Sequence, residues 1–269
     1  MNTLLKLLLS VAVLYAGVVA LLALAQTALI FPRWAMPGSE AALPAEARRL
    51  EVTRPDGVTL AGIDLPGADP DLPVVLGFGG NAWPADALAL FLRGQLPGHR
   101  VVVFHYRGYG PSEGRPSAAA LLSDAVAVHD ALESGGDADA VVAVGLSLGA
   151  GPATHLAAER SLAGLVMVTP FDSMHALAQG HYPWAPVRWL LRHRMEVATD
   201  LARVAAPVAI IAAERDTIIP PERTAPLRDI APRLVLDAVI EGAGHNDLYD
   251  RPAFTAAMRR AVEGITAER

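Results

Sequence analysis

The chain has 269 residues, 52% of them hydrophobic, and a formal charge of −6. That length suits one large α/β domain with a short appendage rather than two soluble domains. The acidic balance leaves no basic footprint for nucleic acid, and zero cysteines exclude disulfides, thiolate metal sites and a cysteine nucleophile. No H-E-x-x-H pair, Walker A loop or G-x-G-x-x-G fingerprint occurs, so neither metal nor cofactor is expected.

From Leu7 to Ala25 the chain carries no charge, and the uncharged stretch continues to Pro32. At ~1.5 Å per residue this is enough helix to cross a hydrocarbon core of about 30 Å. The rival is a cleaved signal peptide, since Lys6 precedes the run and Ala23-Leu24-Ala25 resembles a cleavage site. The run exceeds the usual apolar region of about 7–15 residues in a signal peptide, which favours a retained single-pass anchor over residues 1–31. Lys6 and the free amine favour a cytoplasmic N-terminus and an extracytoplasmic domain; Arg33 on the other flank opposes this. Residues 32–47, rich in Pro, Ala and Gly, read as a linker to a domain spanning 48–269.

Leu50–Arg54 and Val58–Asp64 read as a hairpin around Pro55-Asp56-Gly57. Thereafter strands and helices alternate. Val74–Phe78 is a buried strand followed by Gly79-Gly80-Asn81-Ala82, and Val101–Phe104 is a second continuous apolar run. Ser117 caps a helix through about Leu132. Val141–Val144 then leads into Gly145-Leu146-Ser147-Leu148-Gly149 and a helix over Leu148–Arg160, with Pro152 in its first turn. A strand turning into a helix through G-x-S-x-G holds its serine on a strained elbow, which makes Ser147 the candidate nucleophile.

A serine hydroxyl needs a base to take its proton and an acid to fix that base's tautomer, both expected beyond later strands. Val208–Ile211 is followed by Glu214-Arg215-Asp216-Thr217, making Asp216 the favoured acid; Asp172, beyond the strand Leu165–Val168, is its rival. His245, among small residues after the strand Leu234–Ile240 and before a terminal helix starting near Leu248, is the general base. His129 and His155 fall inside helix patterns, and His175, His181 and His193 lie in an insertion. His105, at a strand end, is a weaker alternative or a polar residue near the site mouth. The oxyanion donors expected are the backbone N–H of Leu148 and, from the loop after Phe78, that of Asn81.

An insertion from Met174 to about Arg194 is placed as a cap over the site. Its Trp184 and Trp189, with Phe171 just before it, are candidates to line an acyl pocket; the tryptophans equally suit a bilayer surface or simple packing against the domain.

Together these motifs resemble the α/β-hydrolase superfamily, and within it the membrane-anchored branch labelled serine-aminopeptidase-like or lysophospholipase-like. The similarity runs from about Gln26 to the C-terminus. It includes Tyr106-Arg107-Gly108-Tyr109-Gly110-Pro111-Ser112-Glu113-Gly114, Thr169-Pro170-Phe171-Asp172-Ser173, Asp216-Thr217-Ile218-Ile219-Pro220 and Gly242-Ala243-Gly244-His245, and the short cap segments Tyr182-Pro183-Trp184 and Pro186-Val187-Arg188. The chain departs from that branch at Gly79, where a histidine is usual, at His105, where an aspartate is common, and at Ala213, which replaces a frequent glycine.

The element order predicts a mostly parallel, doubly wound sheet, and the resemblance implies the α/β-hydrolase fold, with about eight strands and a short helical cap. The expected activity is a membrane-anchored serine hydrolase acting on an ester, a thioester or a monoacyl lipid through an acyl-enzyme, with peptidase activity less favoured. Two other readings stay open on sequence alone: an acyltransferase using the same triad, and a membrane-tethered binding protein without turnover. Oligomeric state is not legible.

Overall fold

The computed structural model describes residues 2–36, 42–135 and 140–268. An apolar helix α1 (Thr3–Ile30) leads to the strands β1 (Arg48–Thr53) and β2 (Thr59–Leu65). Then come β3 (Val74–Phe78), α2 (Ala85–Gln95), β4 (Val101–Phe104), α3 (Ala118–Ser134), β5 (Val141–Leu146), α4 (Ala150–Glu159) and β6 (Gly164–Val168). The insertion holds α5 (Met174–His181) and α6 (Val187–Leu190), and is followed by α7 (Val197–Leu201), β7 (Val208–Ala213), α8 (Pro221–Ile230), β8 (Leu234–Ile240) and α9 (Pro252–Ala267).

The eight strands form one sheet in the order β1-β2-β4-β3-β5-β6-β7-β8. The β1–β2 and β2–β4 pairings are antiparallel and all others are parallel. Every residue of β3, β5, β6 and β7 is buried, as continuous apolar runs require where helices cover both faces. Alternate side chains feed opposite layers: Leu76, Ala143 and Met167 join the core under α3 and α4, while Val75, Val142 and Val166 join the one under α2 and α9. The spacing of Phe254, Ala257, Met258, Ala261, Val262 and Ile265 gives α9 a single apolar face against that second layer.

From β3 the chain steps to β4 on one side, then returns to β5 on the other side of β3. This reversal opens a crevice at the carboxyl ends of β3 and β5, where the loop from Gly79 and the turn at Ser147 leave the sheet.

Several strand ends shift by one or two residues, and three further differences from expectation have a physical reason. A short 3₁₀ turn over Ser147–Gly149 precedes α4, because the elbow must close before an α-helix can start. A 3₁₀ turn over Leu248–Asp250 is separated from α9 by Arg251, held extended because Pro252 disfavours helical geometry in the residue before it. The expected border between anchor and linker at residues 31 and 32 falls inside the packed domain: Phe31 is 2% exposed and joins the core, and Pro32 is buried beside it. Residues 37–41 of the expected linker lie outside the described residues. On these contacts Phe31→Ala should destabilise the chain by about 3–5 kcal/mol, the usual cost of emptying a buried phenylalanine site, read by urea denaturation in detergent.

Candidate active site

At the end of β5 the backbone passes abruptly from extended geometry to the left-handed region, with φ of 54° at Ser147. Such a conformation costs of order 1–3 kcal/mol for a residue other than glycine and persists only where its surroundings enforce it. The flanking glycines do the enforcing. A Cβ on Gly145 would lie 2.5 Å from the Gly149 carbonyl oxygen, and one on Gly149 would lie 2.0 Å from that of Phe78. Side chains at either position are sterically forbidden, and the close approach they permit projects Ser147 from the sheet edge.

The loops after β7 and β8 are tied to each other: Glu214 N–H donates to Ile240 O, Arg215 N–H to Ala243 O, and Gly242 N–H to the Glu214 carboxylate. This lock brings Asp216 and His245 together. His245 Nδ1 lies 2.7 Å from Asp216 Oδ2, and His245 Nε2 lies 3.0 Å from Ser147 Oγ. The other Asp216 oxygen accepts from the backbone N–H groups of Ile218 and Ile219 at 2.9 and 2.7 Å. With Asp216 accepting from Nδ1, the neutral imidazole leaves Nε2 free to take the serine proton.

Asp172 is not brought to His245. Its carboxylate pairs with Arg223 at 3.1 Å and accepts from Ser173 N–H. Nor does His105 stand near the site mouth: it is 6% exposed, with Nε2 3.0 Å from Asp86 Oδ1, and joins the end of β4 to the first turn of α2.

Asn81 and Leu148 line the same cavity as Ser147, and an ideal Cβ on Gly80 would stand 3.8 Å from the Ser147 Cβ. Two tyrosines from the loop after β4 orient this turn: Tyr106 donates to Gly79 O at 2.7 Å and Tyr109 to Asn81 O at 3.0 Å. Engaging those carbonyls fixes the two peptide planes on either side of the one that carries the Asn81 N–H. Burial pushes both phenols well above their ordinary range, so both stay donors. Arg107, between them, anchors the loop through a two-pronged pair with Asp124 at 2.9 and 2.7 Å. Sequence reasoning missed these roles, although the signal was present in the tyrosines on either side of Arg107-Gly108.

An apolar cavity of about 300 Å³ opens beside Ser147. Phe171 lines it as expected, with Met174 and Leu177 from the cap. The two tryptophans do not. Trp189 is 79% exposed because the single turn of α6 directs Val187 and Leu190 inward and the two residues between them, Arg188 and Trp189, outward. Trp184, 47% exposed, stands edge-on to Tyr15 with ring centroids 6.2 Å apart.

A family model described as alpha/beta hydrolase fold matches residues 74–194. The chain is also 36% identical over 260 residues to protein MT2364 of Mycobacterium tuberculosis (strain CDC 1551 / Oshkosh), covering 93% of this chain and 92% of that one. This chain belongs to the α/β-hydrolase family. The α/β-hydrolase chain is further 28% identical over 180 residues to the lysophosphatidylserine lipase ABHD12 of Danio rerio, covering 59% of this chain and 47% of the lipase. Among solved structures, a membrane phospholipase A described as a bacterial virulence factor superposes with a TM-score of 0.65 at 17% identity, covering 97% of this chain and 98% of that one.

What sequence reading did not anticipate in this α/β hydrolase is that α1 forms a wall of the cavity, through Val19, Leu22, Ala23, Gln26, Leu29 and Ile30. Gln26, buried in an otherwise apolar helix, donates to Leu190 O at 3.1 Å and accepts from Arg192 N–H at 2.7 Å. Thr27 Oγ1 lies 2.7 Å from His193 Nε2, and Phe31 packs edge-on against the same ring. The polar residues Gln26 and Thr27 were the available signal, since an isolated membrane span has no need of a paired amide. Away from the cavity, ligand atoms of His129, Asp130 and Glu133 lie within 4.8 Å of one another, but Arg160 already holds the Asp130 carboxylate at 2.7 and 2.8 Å.

His193 Nδ1 accepts from Ala118 N–H at 3.4 Å, which assigns the ring proton to Nε2 and requires a neutral imidazole. Burial, reinforced by the Arg192 charge, lowers its pKa from the ordinary 6.5. Burial also lowers that of His105, with Arg49 adding to it and Asp86 opposing. Below 6.5 the unfolded chain therefore takes up protons that the folded chain refuses. Stability from these histidines is full above that pH and is lost as pH falls through the window beneath it. The urea midpoint should drop on acidification from about pH 7 to about pH 5, and His193→Gln should flatten part of that slope.

Proposed function

We propose that this α/β hydrolase is a membrane-anchored serine hydrolase that cleaves the ester of a single acyl chain, with Ser147 as nucleophile, His245 as general base and Asp216 as its orienting acid. The observation that carries the reading is the unbroken relay from Asp216 through His245 to Ser147, opening onto an apolar cavity of about 300 Å³. That volume is at the low end of small-molecule sites, which span roughly 300–1,000 Å³. It suits one chain better than a folded polypeptide. The lipase and phospholipase relatives favour the same substrate class.

As Ser147 Oγ attacks the acyl carbonyl, His245 Nε2 takes its proton and Asp216 stabilises the resulting imidazolium. The carbonyl oxygen gains the negative charge, received by the N–H groups of Leu148 and Asn81. On collapse, the imidazolium returns the proton to the departing alkoxide, leaving an acyl-serine. Water then adds with His245 again as base, and the tetrahedral adduct breaks to free acid and restored serine.

The α1 helix is long and apolar enough to cross a membrane, and we assign it as a retained anchor with the domain outside the cytoplasm. Protease added to intact spheroplasts should digest the domain; complete protection until detergent is added would reverse the orientation.

Ser147→Ala should abolish hydrolysis of a short-chain p-nitrophenyl ester and labelling by a fluorophosphonate while circular dichroism stays unchanged. Asp216→Asn should lower kcat by about 10⁴, and Asp172→Asn should leave turnover within a small factor of wild type. The opposite pattern would exchange the two carboxylates.

A further inference from the structure

Lys6 is the one charged residue of α1, and the helix continues uncharged from Leu7 to Ile30. From Lys6 to Tyr15 it rises roughly 14 Å at ~1.5 Å per residue, less than half of a hydrocarbon core of about 30 Å. The rest of the core must therefore be crossed by the stretch from Tyr15 to about Gln26. That stretch is the one the cap touches: Tyr15 donates to Trp184 O at 2.9 Å, Val19 and Leu22 line the cavity, and Gln26 bonds the end of α6. A helix spanning the membrane at this position cannot keep the cap out of it.

The cap's surface matches that position. Tyr182 and Trp184 are 39% and 47% exposed, and Trp189 is 79% exposed with the Arg188 guanidinium 5.4 Å from its ring centroid. Aromatic side chains of this kind favour the boundary between headgroups and acyl chains. Between Ser173 and Met195 the sequence places Arg188, Arg192 and Arg194 and no acidic residue, although the whole chain carries 28 acidic against 22 basic groups. All three arginines are exposed. An uncompensated cationic strip beside exposed tryptophans is complementary to anionic headgroups. Tyr182 lines the cavity while remaining exposed, so the cavity opens along this same edge.

We infer that the cap edge bearing Tyr182 and Trp184 is immersed in the leaflet beside α1, with Arg188, Arg192 and Arg194 meeting anionic lipid headgroups, so that the site draws a single-chain lipid ester sideways from the bilayer. The partner is the membrane surface itself. Immersion rests on α1 spanning the bilayer, and the substrate class rests on the hydrolytic reading above; the two are separable by experiment.

The full-length chain is reconstituted in vesicles of phosphatidylcholine brominated at positions along the whole length of its acyl chains, with or without phosphatidylglycerol. The fluorescence lost on replacing Trp184 (W184F) isolates that residue's emission. It should be strongly quenched by the bromines and shielded from acrylamide in water. Phosphatidylglycerol should deepen the quenching, and R188Q/R194Q should cancel that increment, each arginine contributing about five-fold to the docking equilibrium. In the same vesicles the ratio of turnover on a long-chain monoacyl ester to turnover on a water-soluble short-chain ester should fall several-fold in R188Q/R194Q. Trp184 emission open to acrylamide and untouched by the bromines would overturn immersion. Indifference to phosphatidylglycerol would overturn the headgroup assignment. Quenching that persists in a chain with no esterase turnover supports immersion while removing the hydrolytic reading.

Discussion

The left-handed turn at Ser147 exists because β5 and α4 approach the end of β3 more closely than any side chain allows. Gly149 packs against the Phe78 carbonyl, and Gly145 against the start of α4. That contact sets the spacing between the β5 elbow and the loop after β3, and so decides where a carbonyl presented to Ser147 would find its oxyanion donors. Moving the elbow outward would separate nucleophile from loop. Releasing the strain would return Ser147 to the sheet edge, away from His245.

Around this junction the molecule layers polar supports. The lock between the loops after β7 and β8 sets Asp216 against His245, and two backbone N–H groups hold the other Asp216 oxygen. Across the crevice, Tyr106 and Tyr109 fix the Gly79–Asn81 turn, with Arg107 pinned to Asp124 behind them. Each support is paired, and Asp216, Arg107 and Tyr109 are buried as well, so the groups around Ser147 are held in one arrangement. Gly79 in place of the usual histidine leaves this arrangement intact, since the turn is held by its carbonyls.

The joint between α1 and the cap has different physics. It is mostly apolar surface, stitched by Gln26, Thr27 and His193, and it makes one continuous body of α1 and the wall of the cavity beside Ser147. A change in the tilt or depth of α1 is therefore a change in cavity shape. With α1 as the proposed anchor, this couples the bilayer to the site more directly than a flexible tether would.

Much was legible from residues alone. Continuous apolar runs placed β3 and β4 with their observed bounds, because burial on both faces leaves no other use for such runs. G-x-S-x-G marked the elbow, since only glycine tolerates its contacts, and Asp216 and His245 stood out by following strands in loops unsuited to core packing. Sequence order favoured Asp216 over Asp172 but left Asp172 as a rival, because both follow strands and only folding shows that the Asp172 carboxylate is paired with Arg223. The tryptophans misled for a related reason: hydrophobicity says that a side chain avoids water but not which apolar surface it meets. Sequence by itself determined the fold, the elbow and the histidine, through periodicity and steric necessity acting over short stretches of chain. Tertiary structure decided which carboxylate meets His245, the tyrosine contacts and the place of α1 in the cavity wall, because each depends on contacts between segments that sequence order does not bring together.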